Sequence, residues 1–393
     1  MLNEKMLQLG ENRSVIREIF EYGNKRRQEI GAENVFDFSL GNPSIPAPKE
    51  VNEAMVKLLT QSDPVKLHGY TSAQGAPDVR NTIAQSINKR FSVEADPNLI
   101  YMTCGAAASL TICLNALCNK GDEVIALAPF FPEYRVFAQK AGAKLVVAKC
   151  RESDFQIDFN ALESAITENT KAIIVNSPNN PTGVVLSQAT IEKLAELLNK
   201  KQAEYDKNIF IICDEPYREL AYGVDVPYIP KFYDNTLVCY SYSKSLSLPG
   251  ERIGYIFVAP TVADKTKVYA AICGAGRALG FVCAPSLLQF TVRDCVELTS
   301  DVAVYKKNRD LLYNALTEYG YTAAKPDGAF YLFVKSPEAD ANAFCEKAKK
   351  YELLLVPSDS FGFTGYVRIS YCVSTEQIEK SLPAFKALID EYK

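Results

Sequence analysis

Between residues 49 and 260, seven short runs rich in aliphatic and β-branched residues (LIYMT, EVIALA, KLVVAK, KAIIVN, IFIICD, TLVCYS and IGYIFV) alternate with helical patterns such as SQATIEKLAELLNKK. This alternation predicts an α/β domain. The nearly continuous apolar character of several runs predicts a mainly parallel, seven-stranded sheet covered by helices on both faces. After about residue 284 the texture changes. A long helical pattern from Pro285 toward Tyr319, then AFYLFV, a further helix, LLLVP, YVRISY and a closing helix from about Thr375 to Tyr392 predict a smaller α+β domain. Near the start, Ile16, Ile19 and Phe20 at helical spacing, with Gly31 in the stop position, predict a helix before a short VFDFSL strand. That segment is expected to pack on the smaller domain, giving a large domain over 47–290 and a small one over 1–46 and 291–393.

Length agrees with this division, since 393 residues correspond to roughly two to three domains. The net charge of −4 offers no large positive field, so neither nucleic acid nor an anionic membrane is an expected partner. The 11 cysteines include no CxxC, His68 is the only histidine, and the opening MLNEKMLQLGENRS has no apolar secretory core. Free thiols in a reducing cytoplasm, no metal site and no membrane span are therefore expected. A single histidine also disfavours hydrolases that depend on an imidazole base, so another group must move protons if the chain is an enzyme.

Candidate chemistry gathers at strand ends. Lys244 follows TLVCYS in Ser241-Tyr-Ser-Lys-Ser-Leu-Ser-Leu-Pro-Gly-Glu-Arg252, where desolvation among small hydroxylic residues would lower its pKa and free its amine for imine chemistry. Taken alone, such a lysine also reads as a solvated loop residue. Asp214 ends IFIIC at the edge where parallel sheets gather ligands, although Asp before Glu-Pro is equally good helix-capping chemistry. Asn180 lies in NSPNNPTG, either a surface loop or a rigid turn presenting an amide to a ligand. The proline-rich GNPSIPAP, opening at Gly41, forbids regular structure and reads as a loop lining a cleft. Gly274-Ala-Gly-Arg-Ala-Leu-Gly280 imitates a dinucleotide fingerprint, but TKVYAAIC before it reads as helix rather than strand.

Together, NNPTG, DEPY and SYSKSLSLPGERIGY make the chain resemble the class I/II aminotransferase family of fold type I pyridoxal-phosphate enzymes, across nearly its whole length. The resemblance implies pyridoxal 5′-phosphate as cofactor, ping-pong transfer of an amino group from an L-amino acid to a 2-oxo acid, and a homodimer. It implies that Lys244 bonds the cofactor and shuttles the proton, that Asp214 pairs with the ring nitrogen, and that Tyr217 and Asn180 hydrogen-bond the ring's 3′ oxygen. The phosphate would be held by Gly105, Ala106 and Ala107 at a strand-to-helix turn, by Ser241 and Arg252, and by Tyr70 from the neighbouring subunit. Where family members often carry Ser or Thr in that turn this chain has alanines, so amides must serve. Phe131 would stack on the ring, Arg368 would grip the substrate carboxylate, and Gly41 would let backbone approach the substrate. Arg277 is one conceivable partner for a distal anion. A carbon–sulfur β-lyase on the same scaffold would share these residues, whereas the complete lysine, aspartate and arginine set argues against a non-catalytic cofactor-binding regulator that kept the fold.

Overall fold

The computed structural model describes residues 2–11 and 14–393. Its centre is a seven-stranded sheet in the order Ile100–Thr103, Gly254–Val258, Thr236–Ser241, Phe210–Glu215, Thr170–Asn176, Glu123–Ala128, Lys144–Lys149. Gly254–Val258 runs antiparallel to both neighbours, and the other pairs are parallel. Alternate residues of each strand enter two separate cores. Ile173, Val175, Ile211 and Cys213 belong to one, while Ala172, Ile174, Phe210 and Ile212 belong to the other. Helices thus cover both faces, which is why the strands carry so few polar positions.

Register then places chemistry. Asn176 lies opposite Asp214, Asp214 opposite Cys239, and both Ser241 and Thr103 opposite Gly254. The carboxyl ends of these strands therefore present Asn176, Asp214 and Ser241 in a row at one edge. Gly254 is required there: a Cβ would stand 2.3 Å from the Tyr240 carbonyl oxygen and 3.2 Å from the Gly105 Cα.

A second, four-stranded sheet has the order Val356–Pro357, Tyr366–Ser370, Tyr331–Lys335, Thr322–Ala323, with its own core around Phe330, Tyr331, Val367 and Phe385. The chain's first third and its end meet where Phe36–Asp37 pairs in parallel with Leu353–Leu354. Arg26 to Glu352 at 2.6 Å and Arg27 to Asp37 at 2.7 Å brace that meeting.

Three local expectations need correction. The helical pattern from Pro285 is two helices, Ser286–Cys295 and Val302–Tyr319, because the Asp301 side chain accepts from the Ala303 amide and starts a new helix. LLLVP is split into Leu353–Leu354 and Val356–Pro357, which pair with different strands. VFDFSL contributes only Phe36–Asp37 as strand. The glycine-rich GAGRALG lies mostly within the helix Lys265–Ala278, with no strand before it.

Candidate active site

A cleft of about 310 Å³ opens at the carboxyl edge of the large sheet, against the small one. Its wall contains Lys244, Asp214, Tyr217, Asn180, Ser241, Arg252, Ala106, Ala107, Phe131, Arg368 and Gly41, together with Ile16, Leu40, Leu110, Pro216, Ser243, Pro249 and Tyr331. Ile16 and Arg368, 352 positions apart in sequence, thus share one cavity.

Lys244 stands on the one-turn helix Tyr242–Ser245, fixed by the Ser241 side chain, which accepts from the Ser243 amide at 3.2 Å. Its Nζ donates to the Gly41 carbonyl oxygen at 2.6 Å and lies 5.4 Å from the Phe330 ring centre. Burial, with Arg252 and Arg368 nearby, lowers its pKa to about 8. Such an amine is partly neutral at physiological pH, as a nucleophile or base must be.

Asp214 is buried at the end of its strand. Tyr134 Oη donates to Oδ2 at 2.5 Å, and the Asn176 side chain donates to the Asp214 backbone oxygen at 2.8 Å. Oδ1 is buried without a partner. Burial raises the carboxyl to about 7, the Tyr134 hydrogen bond offsetting only part of the desolvation. A carboxylate held this way demands a cationic or proton-bearing neighbour in the cleft.

One end of the cleft suits an oxyanion. Helix Ala106–Leu117 starts at Gly105, at φ 82°, without a side-chain cap, so its first amides stay open toward the cleft. Gly105 does not line the cavity itself, but a Cβ there would come within 2.9 Å of Arg252 Nη2. Arg252 sits at φ 52°, a left-handed conformation costing about 1 kcal/mol or more, and is steadied by donation to the Pro249 carbonyl oxygen at 2.8 Å. Ser241 and Ser243 share a hydrogen bond at 2.7 Å beside it.

At the other end Arg368, 2% exposed, comes from Tyr366–Ser370 of the small sheet. It donates to Asn180 Oδ1 at 3.2 Å and to the Ser39 carbonyl oxygen at 2.5 Å, and its Nε has no partner. Ser39 is held in turn by Asp37 Oδ1, which accepts from its amide at 2.9 Å and its hydroxyl at 2.6 Å. Among the described residues no carboxylate pairs with this guanidinium, and burial lowers its pKa. Tyr217 and Tyr331 share a hydroxyl–hydroxyl hydrogen bond at 2.9 Å next to it.

The buried Asp214 oxygen, the softened Lys244 amine and the open Gly105 turn with Arg252 together match an aromatic cation, an aldehyde and a phosphate on one molecule. Comparison with known proteins agrees. Residues 33–385 match the family model for class I and II aminotransferases. The chain belongs to that family. A probable aspartate aminotransferase of Methanocaldococcus jannaschii is 31% identical over 387 residues, covering 96% of this chain and 97% of the relative. Among solved structures, an aminotransferase from Eubacterium rectale is 57% identical with a TM-score of 0.98, over 100% of this chain and 99% of that one. The Thermus thermophilus aspartate aminotransferase with maleate reaches a TM-score of 0.87 at 26% identity, over 99% of each chain. This aminotransferase is accordingly a fold type I enzyme that depends on pyridoxal phosphate.

Two expected residues lie elsewhere on the isolated chain. Tyr70 is 100% exposed and Arg277 is exposed on its helix, and neither lines the cleft. Among the residues of the site that escaped the sequence reading are Tyr134, Tyr331, Ser243 and Ile16. Ser243 lay inside the lysine motif and Tyr134 just beyond Phe131, so position along the chain could have flagged both. Ile16 and Tyr331 arrive from other parts of the fold.

Proposed function

We propose that the residues of this cleft run amino-group transfer between an L-amino acid and a 2-oxo acid, with Lys244 as the covalent anchor and the proton carrier. The observation that carries the assignment is the Asp214 pair of oxygens, one satisfied by Tyr134 and the other buried and free. The bound cofactor supplies an aldehyde that captures amines and a protonated ring that withdraws electrons from the substrate's α-carbon.

Asp214 would hold the ring nitrogen protonated, an attraction of up to ~4 kcal/mol at about 4 Å and an effective dielectric near 20. Asn180 and Tyr217 would donate to the ring's 3′ oxygen, and Phe131 would cover one ring face. The amides of Ala106 and Ala107, the Ser241 hydroxyl and the Arg252 guanidinium would hold the phosphate. Arg368 would take the α-carboxylate, exchanging its neutral partners for a charge-assisted fork. With substrate so fixed, the Lys244 amine would take the α-proton and return it at the cofactor's C4′ carbon, and the second half-reaction runs this in reverse.

A homodimer in the cytoplasm fits the rest. Tyr70 is exposed, as are the apolar Val56, Leu59 and Val65 on the two helices before it, and coverage of these residues by a second copy would bring the phenol to the partner's phosphate site. The free state of Cys113, Cys213 and Cys239 suits a reducing compartment.

The test is stoichiometry. An L-amino acid and a 2-oxo acid incubated with the purified enzyme should exchange amino groups one for one, and a donor alone should react no further than one equivalent. Relatives named for aspartate and for aromatic amino acids both match, so donors of both kinds belong in the assay. Ammonia released steadily without an acceptor would instead indicate elimination.

A further inference from the structure

The phenol of Tyr331 carries a role that neither the motifs nor the family match assigns. It opens the strand Tyr331–Lys335, in register with Ser370, and its backbone is locked from below: at Gly183, φ 70°, a Cβ would stand 2.7 Å from the Tyr331 carbonyl oxygen. From above, a Cβ on Gly41 would fall 2.0 Å from Tyr331 Oη. The ring faces the Arg368 guanidinium at 4.8 Å, and the hydroxyl meets Tyr217 at 2.9 Å.

Proton counting gives the hydrogen bond a direction. Each phenol is buried and neutral, and each has one proton to give. If Tyr217 spends its proton on the cofactor's 3′ oxygen, the bond between the two phenols must be donated by Tyr331. A phenol that accepts a hydrogen bond becomes the stronger donor.

We propose that Tyr331 is a positioning residue: its hydroxyl donates to Tyr217 and so strengthens the hydrogen bond from Tyr217 to the cofactor's ring oxygen, while its ring supports Arg368. This rests on the cofactor reading above. The titratable and charged groups around the pair are Asp214, Arg368 and Cys372, and the Lys244 amine is nearby through Gly41.

The test is a pH titration of the holoenzyme's visible absorption. Tyr331→Phe keeps the ring and removes only the donor, so the spectral midpoint should rise by about 0.2 to 0.5 pH units with the substrate KM nearly unchanged. Gly41→Ala, which displaces the same hydroxyl while residue 331 stays tyrosine, should move the midpoint in the same direction. In a Tyr217→Phe background, Tyr331→Phe should add nothing. Tyr331→Leu, which also removes the ring, should raise the KM several-fold as well. A wild-type midpoint retained in Tyr331→Phe, or a shift that persists without the Tyr217 hydroxyl, would overturn the proposal while leaving the cofactor reading intact. Wild-type protein that takes up no pyridoxal phosphate would overturn both.

Discussion

Tyr134 and Asp214 form a buried pair in which the phenol satisfies one carboxylate oxygen, Oδ2, at 2.5 Å and leaves Oδ1 for a partner in the cleft. The hydrogen bond keeps the carboxylate oriented along its strand and lowers the cost of its charge. Desolvation still dominates, which is why its pKa stands near 7.

Replacing Asp214 by Asn preserves shape and removes the charge proposed to keep the ring nitrogen protonated. Steady-state assays should show kcat falling by about two to three orders of magnitude, the equivalent of up to ~4 kcal/mol. Tyr134→Phe should cost about tenfold, the loss of one hydrogen bond to a charged group.

The same carboxyl makes a stability prediction for the cofactor-free protein. Its folded pKa, about 7, lies above the ordinary carboxyl value of 3.8, so its stabilising contribution is complete below about pH 4 and is lost as pH rises through 7. Asp214→Asn does not titrate. The Tm difference, variant minus wild type, should therefore grow between pH 5 and 8, and a difference that stays flat would contradict the burial argument.

Lys244 runs the other way, its amine lowered to about 8 by burial. In the cofactor-free protein, labelling of this lysine by an amine-directed reagent should follow a titration near 8, well below that of exposed lysines. Peptide mapping across a pH series measures it directly.

Arg368 is aligned through a chain from Arg27 to Asp37 to Ser39, whose carbonyl oxygen accepts from Nη2. Arg368→Lys should raise the KM for amino donors by about ten- to a hundredfold, since the lysine cannot form the planar fork. Asp37→Asn, which touches no substrate, should raise it less and leave kcat nearly unchanged.

The sequence revealed those parts of the site that local chain geometry delivers. Asp214 lies at the end of a buried strand and Lys244 and Asn180 follow close after theirs, so hydrophobic pattern alone brings them to one sheet edge, and their motifs supply the roles proposed for them there. Tyr331 and Ile16 reach the same cleft from a different sheet and from the helix Val15–Ile30, and no spacing along the chain encodes that approach. The break between Cys295 and Val302 was overridden by a continuous apolar pattern, although Asp301 is a good N-cap. Tyr70, exposed on the single chain, acquires its proposed task only in an assembly.

Reduction of the holoenzyme with borohydride, followed by peptide mapping, tests the central claim most directly. The account predicts one pyridoxyl label per chain, on Lys244. A label on any other lysine, or none on protein that has bound the cofactor, would contradict it.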